Sequence, residues 1–180
     1  PAATLLGVTF YIPILLSVLL VIPIFFIVRR VGGNLGALFA ASIVVVHKSL
    51  LHRTMGGFAD TDMYSILIPA LAIWFLIEAY NSKTLFRNVL FSALCGVTIA
   101  LFSFAWIGWW YIAYIILITI LLILGYTILV HRGELRQFNK ANCIKFLKLD
   151  VIIKPLLILG VLIVTVVLLV PIFSTPRDLQ

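Results

Sequence analysis

The sequence predicts an all-α protein, a polytopic transmembrane helical bundle of about six spans, and three observations carry that prediction. The first is composition. Of 180 residues, 64% are hydrophobic and 11% charged, with a mean hydropathy of +1.25, and a water-facing surface cannot be built from so few polar groups. The second is run length, because several apolar runs reach the ~20 residues that a helix needs to cross a bilayer. The third is charge placement. Ten of the thirteen Lys and Arg stand in three connectors: Arg29 and Arg30; Lys83 and Arg87; and Arg132, Arg136, Lys140, Lys145, Lys148 and Lys154. If every apolar run crosses, these connectors share one side, which the positive-inside rule makes cytoplasmic. That asymmetry accounts for the net charge of +7 without nucleic acid as a partner.

The whole chain, 1–180, reads as part of one transmembrane domain. The first span covers 5–28; Pro13 and Pro23 bend it, and Arg29-Arg30 stop it. Gly32-Gly33-Asn34 then turns the chain. The second span is 35–51, in which the strictly apolar part ends at Val46 and the residues from His47 complete the crossing. A third span over 63–80 contains Pro69, with Glu78 near its inner end and Lys83 close enough to make a solvated pair. The fourth and fifth spans are 85–104 and 108–130, joined by a tight turn at Ala105-Trp106-Ile107-Gly108. Trp109, Trp110, Tyr111 and Tyr114 form an aromatic belt at headgroup level. Residues 131–154 make a cytoplasmic basic connector, its apolar side chains spaced like an amphipathic surface helix. The sixth span is 155–171, ended by Pro171. Gly7, Gly96, Gly125 and Gly160 are read as sites of close helix packing. Cys95 and Cys143 lie too far apart in this topology for a disulfide.

Two of the six acidic residues, Asp60 and Asp62, stand one residue apart at the mouth of the third span, after Gly56-Gly57. Paired carboxylates form an oxygen-rich site for a hard divalent cation, and ionised groups at a bilayer boundary are costly without a partner. One Asp is explained as a helix N-cap; two exceed what a cap needs. Arg53 lies seven residues before Asp60 across the flexible Gly-Gly link, in reach of a carboxylate or a phosphate. His47 and Lys48 read as interfacial anchors.

The stretch Arg53-Thr-Met-Gly-Gly-Phe-Ala-Asp-Thr-Asp-Met-Tyr64, followed by an apolar helix with an early Pro69, resembles the catalytic subunit of the oligosaccharyltransferases, above all the archaeal and bacterial single-subunit members. Pro23-Ile-Phe-Phe-Ile-Val-Arg-Arg-Val-Gly-Gly33 and Trp106-Ile-Gly-Trp109 are similar to that family too. The resemblance implies a membrane glycosyltransferase of the GT-C type. Its reaction would be metal-dependent transfer of an oligosaccharide from a lipid-linked polyprenyl or dolichyl (pyro)phosphate donor to the Asn of an Asn-X-Ser/Thr sequon. By the same resemblance Asp60 and Asp62 are catalytic and metal-ligating, for Mn²⁺ or Mg²⁺, while Arg53, with His52 beside it, lies near the donor phosphates. Partners implied are the donor, a sequon-bearing polypeptide, membrane lipids, the rest of a longer chain and further subunits. The family's other acidic ligands and its Trp-Trp-Asp acceptor motif, in a C-terminal soluble domain, lie outside these residues. The implied setting is a prokaryotic plasma membrane, of archaeal type, with the acid-pair loop on its outer face.

Two other readings compete. One is a different polyprenyl-phosphate glycosyltransferase of the same class, moving a single sugar. The other is a cation- or proton-coupled transporter segment, but transporters keep their acids near the bilayer midplane in broken helices, whereas these stand at a helix end.

Overall fold

The computed structural model describes residues 2–53, 62–130 and 150–174, and every element among them is a helix. In chain order these are α1 (Ala2–Val46), α2 (Lys48–Arg53), α3 (Asp62–Asn81), α4 (Leu85–Ala105), α5 (Trp110–Val130) and α6 (Asp150–Ser174). Five of them are long and apolar enough to cross a membrane, the first of these being Phe10–Val46.

That first stretch does not run straight. Gly33 holds φ 67° and ψ −171°, a region that only glycine occupies at low cost. The chain reverses there: Val28 Cγ1 lies 4.0 Å from where a Gly36 Cβ would stand, although eight residues of straight helix would separate them by about 12 Å. Leu16, Leu20 and Ile24 before the turn, and Val44 and Leu50 after it, all pack into one cluster with Leu67, Ala70 and Leu71. Residues 34–46 alone rise only about 20 Å, short of the ~30 Å hydrocarbon layer. The six residues of α2 lengthen this second arm.

Helix directions follow from matched contacts. The first arm of α1 runs parallel to α3, since Leu20 clusters with Leu67, Phe26 stacks on Trp74 at 4.8 Å and Arg30 bonds Glu78. Parallel neighbours require the segment between them to return, which the second arm and α2 do. Against α3, α4 is antiparallel. Asn88 Nδ2 donates to the Ala79 carbonyl at 3.1 Å, Phe91 meets Phe75 and Cys95 Sγ reaches the Ala72 carbonyl at 3.4 Å. α6 runs parallel to α4, with Asn88 level with Lys154 and Leu157 and Gly96 level with Leu162 and Thr165. The described helices therefore pass six times between two ends of one bundle.

The main core joins Ala72 and Ala79 of α3, Ile99 and Phe102 of α4, Ile112, Ile116 and Ile120 of α5, and Ile158 and Leu162 of α6. Outward faces are equally apolar: Phe39, Leu122, Tyr126, Leu129 and Leu168 are all exposed. A helix apolar all round suits hydrocarbon surroundings. Its hydroxyls are internally satisfied, as lipid requires; Ser92, Thr98, Ser103, Thr119 and Thr165 each donate to a carbonyl three or four residues back.

Several expectations change. Glu78 does not form a solvated pair with Lys83; it is buried, 8% exposed, and bonded to Arg30, because the parallel arm brings an arginine that sequence distance conceals. Pro171 does not end α6, which continues to Ser174, and α6 begins at Asp150, inside the stretch assigned to the connector. Residues 131–149 of that connector lie outside the described residues, as does Cys143. Of the four glycines read as packing sites only Gly96 is one. A Cβ there would meet Thr165 Oγ1 and stand 2.7 Å from Thr165 Cβ, whereas Gly7, Gly125 and Gly160 have open space among the described residues.

Candidate functional site

The acid-pair end of the bundle is built by α2, the start of α3 and the α4–α5 turn. Asp60 and residues 54–61 lie outside the described residues. Asp62 is the first residue of α3, and its backbone alone is described, as is that of Arg53, the last residue of α2. A first-turn position faces the helix's unpaired N–H groups and the positive end of its dipole, which favour an ionised carboxylate.

That first turn is held by packing. Met63 is 1% exposed. Pro69 lacks the N–H that would bond the Ser65 carbonyl one turn back, and the Tyr111 hydroxyl donates to that carbonyl instead, at 3.5 Å. Tyr111 is itself fixed edge-on against Phe102 and Trp106. Tyr111 of the aromatic cluster read as a belt thus braces the start of α3, while Trp110 is exposed and meets Tyr114 edge-on. Leu50 of α2 packs into the Leu67 cluster, so His52, exposed, and Arg53 come to the same end as Asp62. Among the described residues no group of three His, Cys, Asp or Glu stands together; the side chains of Asp60 and Asp62 lie outside that set.

The opposite end holds a feature the sequence reading missed. Arg30 donates to Glu78 twice, Nε to Oε1 at 3.1 Å and Nη2 to Oε2 at 2.5 Å. This bidentate fork combines charge with geometry. Beside it lies a cavity of about 410 Å³ lined by Phe26, Arg29, Arg30, Trp74, Glu78, Arg87 and Phe91. The sixteen residues from Asp62 to Glu78 along α3 put the two ends about 24 Å apart.

Comparison with known proteins adds a second line of observation. The family described as Oligosaccharyl transferase STT3, N-terminal, matches residues 2–176. A dolichyl-phosphooligosaccharide-protein glycotransferase of Methanococcus voltae is 35% identical over 117 residues, 63% of this chain and 13% of the relative. The enzyme of the same name from Methanocaldococcus jannaschii is 35% identical over 103 residues, 57% of this chain and 11% of the relative. An undecaprenyl-diphosphooligosaccharide–protein glycotransferase of Campylobacter jejuni is 30% identical over 130 residues, 71% of this chain and 17% of the relative. The chain thus spans less than a fifth of the length of these relatives. No solved structure matches.

Proposed function

Because the chain belongs to the oligosaccharyl transferase STT3 family, we propose that it forms membrane-embedded machinery for N-glycosylation. The reaction is transfer of an oligosaccharide from a lipid-linked polyprenyl or dolichyl (pyro)phosphate to the Asn of an Asn-X-Ser/Thr sequon. The observation that carries this reading is the start of α3 at Asp62, the second acid of the Arg53–Asp62 motif, in a chain matched by the family almost end to end.

The donor set fits a hard divalent cation. Two carboxylates stand one residue apart, the second at a helix N-terminus that favours its ionised form. Asp60 and Asp62 would hold Mn²⁺ or Mg²⁺, and the ion when bound supplies positive charge beside a phosphate leaving group. The remaining roles belong to the chain's own side chains. Arg53 binds donor phosphate oxygens through its fork of N–H groups, with His52 as a second donor. Met63 and the Tyr111 hydroxyl keep the first turn of α3, and hence Asp62, in place. A lipid-anchored donor reaches such a site from the bilayer and a polypeptide acceptor from water, so the mouth of a membrane helix serves both. The acid pair then faces outward from a prokaryotic, archaeal-type plasma membrane, and acceptor recognition falls to other segments of a longer chain or to partner subunits.

The test is glycosylation of a fluorescent sequon peptide by membranes carrying the full-length protein. Asp60→Ala and removal of divalent cations by chelator are each expected to lower transfer by at least about a hundredfold, the scale of losing one charge-stabilising group; Asp62→Ala falls in the same direction. Undiminished transfer by a folded Asp60→Ala protein would reduce the pair to a helix cap and sink the mechanism.

A further inference from the structure

We propose that the cavity between the first arm of α1, α3 and α4, at the end opposite the acid pair, binds the phosphate group of an anionic lipid headgroup. Three arginines line it, Arg29, Arg30 and Arg87, against one carboxylate, Glu78. Glu78 is the only carboxylate among the described side chains. The cavity therefore carries a net charge of about +2 by formal count. Arg30 is positioned rather than used up: its bond to Glu78 engages two of the five guanidinium N–H groups, leaving three on a side chain that is 46% exposed.

The lining and the location of the cavity fit a phosphate attached to hydrocarbon. The Trp74 ring lines the cavity. The walls are aromatic, with Phe26 stacked on Trp74 and Phe91 lying 6.0 Å beneath the Arg87 guanidinium. A volume of about 410 Å³ falls within the ~300–1,000 Å³ range of small-ligand sites. The location suits the same ligand. Lys83 and Lys154 gather at this end around a neighbouring hollow, and basic pockets between membrane helices take anionic headgroups. Arg30 and Glu78 stand within one turn of their helix ends, at headgroup depth.

The experiment is native mass spectrometry of the full-length protein released from nanodiscs of phosphatidylglycerol or phosphatidylcholine. Wild type is expected to retain phosphatidylglycerol over phosphatidylcholine by roughly tenfold or more, given the cavity's formal excess of two positive charges. Arg29→Gln/Arg87→Gln abolishes that preference. Lys48→Gln, on α2, leaves it unchanged. Arginine-dependent retention of inorganic phosphate without lipid would support the same phosphate chemistry from a soluble source. Equal retention of both lipids by wild type, or undiminished phosphatidylglycerol retention in the double variant, overturns the proposal.

Discussion

At the scale of single residues, Glu78 shows how membrane packing sets the worth of a charge. Its carboxylate is held by both oxygens in the Arg30 fork, while the Arg30 side chain remains nearly half exposed. Removing Arg30 strands the carboxylate without its partner, whereas removing the charge of Glu78 strands nothing. Arg30→Ala is therefore expected to cost on the order of 2 kcal/mol, less than a fully buried pair because one partner is solvated. Glu78→Gln should cost under about 1 kcal/mol, since the amide oxygen still accepts. Thermal denaturation of the detergent-solubilised protein checks the order; equal losses would show that the pair is decorative. Glu78 was visible in the sequence, but its partner was not. Lys83 is five positions away and Arg30 forty-eight, and only the parallel docking of α1 on α3 makes the distant residue the neighbour.

At the scale of elements, helix type and position were largely legible. Apolar runs near the membrane-spanning length leave little choice, and the Gly-Gly at 32–33 announced the reversal that Gly33's positive φ performs. Which glycine packs closely was not legible, because a glycine records the absence of a side chain without recording what stands opposite. Gly96 faces Thr165 of α6, and a methyl group there collides with it. Gly96→Ala is expected to destabilise by about 1–3 kcal/mol through overpacking. Gly125→Ala and Gly160→Ala, with room to spare, should be neutral or stabilising by up to about 1 kcal/mol, as expected of alanine in a helix interior. Melting midpoints of the three variants decide it, and a neutral Gly96→Ala would mean that α4 and α6 sit further apart than the Gly96–Thr165 contact requires. The ends of α6 were misjudged for a related reason. Pro155 and Pro171 look like boundaries, yet proline within a membrane helix is tolerated where neighbouring groups take up the freed carbonyls.

At the scale of the whole molecule, the candidate site was legible only as a motif and a place. The acid pair and its helix could be read from residues 53–64, but the brace that holds that helix, Tyr111 against the Ser65 carbonyl, joins residues forty-six positions apart. Six passes between two ends make a prediction of their own. In a protein whose Cys95 and Cys143 are replaced, Asn34→Cys and Lys83→Cys should react with a membrane-impermeant thiol reagent from one side. His47→Cys and Ile107→Cys should react from the other. Labelling of Asn34→Cys and His47→Cys from the same side would remove the second arm as a crossing. Six is also an even number, and parity has a consequence for descent. Ala2, Arg53, Asp62 and Ser174 all stand at one end of the bundle, while Val130 and Asp150 stand at the other. A lineage can gain or shed helices between these points only in pairs if the face assignments are to survive; a single extra crossing would send everything beyond it through the looking-glass.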